Sequence, residues 1–282
     1  MVNFVKIPMY EFNVDGSIKP NPIFHRSWDK LHSRCIEYPF AASKVEKTDK
    51  ILDIGTAKAD KAWCDWLDNL PSEVHATDYD DNEYSFKNVI FHQADVRQLP
   101  YENDTFDKIL AVSVIEHIGL DDAQVNIANK PKVEKQGDIE AVRELIRVLK
   151  PNGILVMTFP LSKQEFIFAD SARVYSMERV ELFNSLIEPL SLEYYEYQHA
   201  SVKKLYVEYE KKPLTPKKTS IFSRGNKQAV TEKEEAAELP NFKPEIPGMV
   251  TWRKLPYQKE FINSEQHCHI DGVLCGVWQK KI

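Results

Sequence analysis

From Lys50 onward, short apolar runs of strand length alternate with amphipathic helical patterns. This alternation constrains the fold more than any other feature of the chain. The strand-length runs cover residues 51–55, 73–78, 89–95, 106–113, 154–159, 190–197 and 271–280. The helical patterns cover residues 57–70, 138–150 and 176–187. Strands that alternate with helices predict an α/β fold built on a doubly wound, parallel sheet.

The ends of two predicted helices carry local signals. Asp138 is a residue type that often caps a helix N-terminus, so the helix over 138–150 is expected to begin there. Pro39 follows a possible short helix over 28–38 and is expected to end it, because proline disrupts a helix interior.

Composition excludes several classes of protein. A hydrophobic content of 43% excludes a wholly disordered chain. Four cysteines among 282 residues are too few for a disulfide scaffold and indicate a reducing compartment. The net charge of −6 argues against general nucleic-acid binding. No apolar run has the length of a membrane span, and the N-terminus does not resemble a signal peptide, so we predict a cytoplasmic protein.

Ligands of open α/β sheets bind beyond the carboxyl ends of the strands. Gly55 follows the first strand and permits a tight turn there. Asp78, 23 residues after Gly55, is placed to accept hydrogen bonds from ribose hydroxyls. Asp95 can accept from an exocyclic adenine amine, with Phe91 or Val96 beside the ring. These residue types predict a nucleoside cofactor.

The order of these motifs resembles the class I S-adenosylmethionine-dependent methyltransferases over residues 50–197 and 270–280. The motifs are Asp53–Ala59, Thr77–Asp80, Ala94–Val96, Leu99–Tyr101 with Phe106–Asp107, Ser113–His117 and Glu144–Gly153. The resemblance implies a Rossmann-like, seven-stranded sheet, mostly parallel, with an antiparallel last strand. Glu116–Leu120, with Gly137-Asp138 and Arg173–Ser176, is similar to an uncharacterised methyltransferase-like subgroup.

The resemblance also implies a role for individual residues. S-adenosylmethionine is the expected cofactor and S-adenosylhomocysteine the expected product. Asp53 and Gly55 would contact or position the methionine end, Asp78 would bind ribose, and Asp95 and Val96 would hold adenine. Ser113 and Ile115 would line the wall beneath the sulfonium. The full set of expected cofactor-binding residues is Asp53, Gly55, Thr56, Asp78, Tyr79, Asp95, Val96, Ser113 and Ile115.

The loop after the first strand departs from the family pattern. The second and third glycines of that pattern are replaced by Ala57 and Ala59. If these positions have an ordinary φ, alanine is tolerated and cofactor binding survives. If they need a positive φ, alanine is strained there, and the chain is a non-catalytic relative.

Four residues are candidates for chemistry beyond cofactor binding. His117 and Glu116 are candidate catalytic residues. The alternative role of His117 is a structural hydrogen bond. The alternative role of Glu116 is to place a favourable negative charge at a helix N-terminus. Arg173 and Tyr175 are candidates for binding an anionic or sugar acceptor. The alternative is that both residues belong to a helix-capping surface. No metal is expected, because the histidines and cysteines of residues 267–275 fit no standard zinc spacing.

We divide the chain into an N-terminal extension (1–48), a methyltransferase core (49–199), a charged insertion or cap (200–268) and a final core strand (269–282). The basic run 203–227 lies mostly in the insertion and is expected to be a solvated surface. The favoured function is methyl transfer to a small-molecule or sugar acceptor. The alternatives are a catalytically silent binding or scaffold protein and a nicotinamide-dependent enzyme. The sequence leaves the oligomeric state open.

Overall fold

The computed structural model describes residues 33–47, 49–120, 136–162, 164–168, 172–198, 241–242, 251–256 and 272–282. The helices in these ranges are α1 (Arg34–Ala42), α2 (Lys61–Asp68), α3 (Gly137–Val148) and α4 (Met177–Leu186), with one 3₁₀ turn, η1 (Ile115–His117). The strands are β1 (Lys50–Ile54), β2 (Glu73–Asp78), β3 (Ile90–Gln93), β4 (Phe106–Val112), β5 (Leu149–Leu161), β6 (Phe166–Phe168), β7 (Ala172–Val174), β8 (Glu188–Gln198), β9 (Asn241–Phe242), β10 (Thr251–Pro256) and β11 (Gly272–Gln279).

The main sheet has the strand order β10-β8-β11-β5-β4-β1-β2-β3. The strands from β3 to β5 pair in parallel, and β11 inserts between β5 and β8, antiparallel to both. The predicted seven-stranded, mostly parallel sheet with an antiparallel last strand is therefore confirmed. One strand of the main sheet was not predicted: β10 lies within residues 200–268 and pairs antiparallel with β8 as an eighth strand.

Helices cover both faces of this sheet. Successive residues of a strand point to opposite faces. Ile51 accordingly packs in a cluster with Phe40 of α1 and Trp63 of α2. Its neighbour Leu52 packs in a second cluster with residues of α3 and α4. The sheet is doubly wound, as the alternation of strands and helices predicts.

Two expected helix boundaries are wrong. Helix α3 begins at Gly137 with Gln136 at its N-cap, so Asp138 lies inside the first turn. Asp138 is fully buried there and accepts a hydrogen bond from Arg179 Nε of α4 at 3.1 Å. Pro39 lies inside α1 instead of ending it, and the next residue, Phe40, is completely buried. Tertiary contacts, which the local sequence does not reveal, decide both positions.

A second, smaller sheet lies beyond β5. Its strand order is β7-β6-β9, and a parallel bridge joins Leu161, at the end of β5, to Tyr175. Strand β7 contacts η1, the turn that follows β4. The small sheet therefore lies at the carboxyl edge of the main sheet, where the sequence predicts the ligand.

Among the described residues, none of the helices combines the length and the apolar character that a transmembrane span requires. The basic run 203–227 and the histidines and cysteine of residues 267–269 lie outside the described residues.

Candidate functional site

The turn after β1 requires glycine at position 55. Gly55 has a φ of +84°, which only glycine adopts without strain. A Cβ at this position would also lie 2.7 Å from Cγ2 of Val114, which follows β4. The two strand ends therefore approach each other closely, and the predicted tight turn at Gly55 is confirmed.

Asp78, at the end of β2, holds the loop that follows Gly55. One carboxylate oxygen of Asp78 accepts a hydrogen bond from the Ala57 N–H at 2.8 Å, and the other accepts from the Asp80 N–H at 3.0 Å. A carboxylate oxygen can accept more than one hydrogen bond. Asp78 is only partly buried and can accept from ribose hydroxyls while it orders the loop.

Alanine is compatible with the backbone of the loop. The non-glycine residues with positive φ in the described chain are Asp104, Ser113 and Asn152, so Ala57 and Ala59 have ordinary backbone angles. The methyl group of Ala59 packs against the core cluster under α1 and α2. The replacement of two family glycines therefore introduces no strain, and the residues of this edge fit a nucleoside cofactor.

The buried side chain of Asp53 positions the loop after β1 through hydrogen bonds. The side chain is 1% exposed and accepts hydrogen bonds from Thr56 Oγ1 at 2.8 Å and from Trp63 Nε1 at 3.1 Å. Burial raises the pKa of Asp53 to about 7, and the charge of Asp78 acts in the same direction, against the two hydrogen bonds that lower it. This geometry supports the positioning role expected for Asp53 more than direct contact with the cofactor.

The residues expected around adenine lie beyond β2 and β3. The Ala94 N–H donates to the Asp78 carbonyl at 2.8 Å, which places Asp95 beside the ribose-binding candidate. Asp95 is paired with the guanidinium of Arg97 at 2.6 Å. Burial acts to raise the pKa of Asp95, but hydrogen bonds from Arg97 outweigh it and lower the pKa. Val96 is buried in the core, and Tyr79 is 62% exposed at the surface.

Ser113, the residue after β4, has a strained backbone. Its φ of +51° lies in the left-handed region, which costs a non-glycine residue about 1 kcal/mol or more. The Ser113 N–H donates to the Thr158 carbonyl of β5 at 2.9 Å. Such strain commonly marks a functional position, and here it turns the chain abruptly into η1. Ile115, the next predicted wall residue, is completely buried.

Helix α1 brings a buried carboxylate to this position. Glu37 accepts hydrogen bonds from Thr158 Oγ1 at 2.8 Å and from Ser33 Oγ at 2.6 Å, and it is ion-paired with Arg34. The sequence analysis did not identify Glu37 or Thr158. A signal existed for Thr158, because it is a lone polar residue inside the apolar run of β5. No local pattern marks Glu37, since its partner Thr158 is distant along the chain.

The two candidate catalytic residues differ in exposure. Glu116 is 2% exposed, and one of its carboxylate oxygens accepts a hydrogen bond from Ser113 Oγ. Burial raises the pKa of Glu116, the charge of Glu37 raises it further, and His117 and Ser113 oppose the shift. His117 is exposed. The carboxyl group of Glu116 therefore lies inside the protein, whereas His117 faces the solvent.

Arg173 and Tyr175 do not lie on a helix-capping surface. Arg173 is 1% exposed and is ion-paired with Glu165, and its Nε lies 3.7 Å from Asp138. Tyr175 is completely buried, and its phenol packs against Phe159 with ring centroids 4.5 Å apart. Burial raises the pKa of Tyr175 well above its usual range, so the phenol is a neutral donor.

The sequence profile of a family described as "Methyltransferase domain" matches residues 67–235, more than half of the chain. The chain therefore belongs to this methyltransferase family. This membership confirms the resemblance to the class I S-adenosylmethionine-dependent methyltransferases. The protein is an enzyme of that class, and S-adenosylmethionine is its cofactor.

No curated protein matches the chain. Several solved structures are similar to parts of the chain. An S-adenosylmethionine-dependent methyltransferase from Methanosarcina mazei is 10% identical, with a TM-score of 0.46, over 87% of this chain and 98% of the other. The 1,6-didemethyltoxoflavin-N1-methyltransferase of Burkholderia thailandensis, bound to S-adenosylhomocysteine, is 10% identical, with a TM-score of 0.44, over 83% and 72%. The [4+2]-cyclase SpnF is 18% identical, with a TM-score of 0.41, over 52% of this chain and 53% of the cyclase, so the chain spans about half of its length.

Proposed function

We propose that this methyltransferase transfers the methyl group of S-adenosylmethionine to a small-molecule or glycan-type acceptor. The bound cofactor supplies an electrophilic methyl group, and much of the rate enhancement comes from holding the acceptor in line with it. The observation that carries the proposal is the hydrogen bond between Asp78 and the Ala57 N–H, in a loop where alanine is unstrained. That bond orders the cofactor loop and leaves acceptor capacity on Asp78.

The proposed cofactor roles follow the strand ends. Gly55 and Thr56 form the part of the site that binds the methionine end of the cofactor, and Asp53 lies beneath them. Asp78 binds the ribose of the cofactor. The adenine lies beside Asp95 and Val96, with Tyr79 near the ribose and ring. Ser113 and Ile115 form the wall beneath the sulfonium. Because Arg97 already pairs with Asp95, the adenine amine shares that carboxylate with the guanidinium.

The acceptor lies beyond η1 and β7. Glu116 is the proposed proton acceptor, with His117 as a second candidate at the exposed end of η1. Arg173 and Tyr175 bind the acceptor or shape its pocket. Residues 200–268, together with the N-terminal extension (1–48), are the proposed cap of the core (49–199), and residues 269–282 are its final strand. A cytoplasmic location is supported by Cys35, Cys64 and Cys275, which are all free thiols.

A transfer assay tests this function. The wild type is incubated with S-adenosylmethionine that carries a radiolabelled methyl group and with pools of small alcohols, amines and saccharides. Label is expected to enter a pool with the wild type and not with Asp78→Ala. If the wild type binds S-adenosylhomocysteine but labels no pool, the catalytically silent binding protein becomes the better description.

A further inference from the structure

Unpartnered buried polar atoms gather where η1 meets β7 and the end of β5. The atoms without a hydrogen-bond partner are Glu116 Oε2, Ser162 Oγ, Arg173 Nη2 and Tyr175 Oη. Among the residues that the structure describes, two further side-chain nitrogens lack such a partner: Arg173 Nε, in the same group, and one nitrogen of His75 on β2. Buried polar groups are nearly always hydrogen-bonded, so such a group of exceptions needs an explanation.

The four side chains belong to one place in the fold. Ser162 directly follows β5, and its N–H donates to the Tyr175 carbonyl at 2.8 Å. The charges of Glu116 and Arg173 both act on the Tyr175 phenol. Strand β7, which carries Arg173, contacts η1, which carries Glu116. A ligand that enters between η1 and β7 therefore meets an acceptor-only carboxylate and several donors.

The acidic and basic side chains that the structure describes in this cluster do not pair one to one. Glu37 is paired with Arg34. Asp138 and Glu165 are paired with two arginines, Arg173 and Arg179. Among the residues that the structure describes, Glu116 has no cation within ion-pair distance, and its free oxygen is fully buried. The described residues of this cluster thus include one more carboxyl group than guanidinium groups, and a cationic ligand group would stabilise the ionised form of Glu116.

We propose that the acceptor is an amine, whose ammonium group binds Glu116 Oε2 in the pocket between η1 and β7. This inference rests on the proposed methyltransferase function and names the acceptor class. The Tyr175 and Ser162 oxygens accept further N–H bonds, and Arg173 Nη2 donates to an oxygen elsewhere on the acceptor. A proton passes from the ammonium nitrogen to Glu116 Oε2, which leaves a neutral amine with a free lone pair and a neutral carboxylic acid. The lone pair of the neutral nitrogen would then form an N–C bond to the methyl group as the S–C bond of S-adenosylmethionine breaks, which releases S-adenosylhomocysteine.

Methylammonium and methanol are matched probes for this pocket, because they share a methyl group and differ in charge. The protein is saturated with S-adenosylhomocysteine, and binding is followed by saturation-transfer NMR on the probe's methyl protons. Methylammonium chloride is expected to bind the wild type saturably, at least about tenfold more tightly than methanol. Glu116→Gln keeps an oxygen for Ser113 and removes the charge, so it is expected to lose that preference. Glu73→Gln, at the opposite edge of the sheet, is the control and is expected to behave as the wild type.

Each outcome of this experiment either supports or overturns the amine proposal. The proposal is overturned if the wild type shows no saturable methylammonium binding, if methanol binds equally well, or if Glu116→Gln retains the preference. The comparison of the two probes on the wild type stands even if the variant does not fold. The affinity for S-adenosylhomocysteine is measured on the same samples, so that failure of the proposed function can be distinguished from failure of the amine proposal. If the wild type does not bind S-adenosylhomocysteine, the proposed function is contradicted. If it binds S-adenosylhomocysteine but does not prefer methylammonium, only the amine proposal is contradicted.

Discussion

Gly55 is the residue at which conformation and space both limit substitution. A Gly55→Ala variant would place a left-handed alanine against Val114. We expect the free energy of unfolding to fall by about 1–2 kcal/mol from backbone strain alone, and cofactor binding to weaken.

The double variant Ala57→Gly and Ala59→Gly restores the family glycines where φ is already ordinary. It is expected to change S-adenosylhomocysteine affinity by less than about threefold. Calorimetry on both variants checks these expectations, and a large gain in the double variant would show that the alanines do impair the loop.

Asp53 gives a pH dependence of stability with a defined sign. Its pKa is about 7 in the folded protein, against 3.8 for an unperturbed aspartate carboxyl in the unfolded chain. Between these pH values the folded state holds a proton that the unfolded state has lost. The contribution of Asp53 therefore favours the folded state less as pH rises from about 4 to about 7. Urea unfolding at several pH values is expected to show a flatter profile for Asp53→Asn than for the wild type, and parallel profiles would contradict the assignment.

At the scale of elements, α1 connects the two halves of the site. Glu37 reaches Thr158 of β5, and Tyr38 accepts a hydrogen bond from the Asp60 N–H, ahead of α2, at 3.1 Å. Tyr38→Phe keeps the ring, which is stacked on Trp63, and removes this bond. We expect a loss of about 1 kcal/mol in stability and a few-fold weaker S-adenosylhomocysteine binding. Urea unfolding and calorimetry measure the two effects, and unchanged affinity would show that α1 does not influence the loop.

The contact between α3 and α4 depends on a buried charge. Asp138 of α3 is fully buried against Arg179 of α4 and near Arg173. Asp138→Asn leaves two arginines short of a partner, so we expect it to lower the free energy of unfolding by about 3–5 kcal/mol. The control is Glu188→Gln, which removes an exposed pair with Lys281 and should change stability by less than about 1 kcal/mol. Equal effects in urea denaturation would contradict the role of Asp138.

Some features of these elements could be predicted from the sequence and others could not. The mostly parallel sheet, its antiparallel last strand, the two covered faces and the glycine turn follow from periodicity and from the family motifs, because both are local patterns. The environment of Asp138 does not follow, because its partner Arg179 lies 41 residues away. Glu37 and the strand β10 were missed for the same reason: their contacts join segments that are distant along the chain.

At the scale of the whole molecule, the fold brings six chain segments to one edge of the sheet. The loop after β1, the ends of β2 to β5 and the first helix all contribute side chains there. The half facing β2 and β3 is rich in satisfied carboxylates, and the half facing η1 and β7 holds most of the unpartnered polar atoms of the described residues. In the proposed function, the first half binds the cofactor and the second half binds the acceptor.

The central claim is that the loop and Asp78 bind S-adenosylmethionine and its product, and calorimetry tests it most directly. Wild type, Asp78→Ala and the control Asp80→Ala are titrated with S-adenosylhomocysteine, and NAD is titrated as a second ligand. We expect micromolar binding by the wild type, no NAD binding, and at least about a tenfold loss in Asp78→Ala. Asp80, which pairs with Lys58 at the surface, is expected to be replaceable within about threefold. Undiminished affinity in Asp78→Ala, or a preference for NAD, would contradict the account.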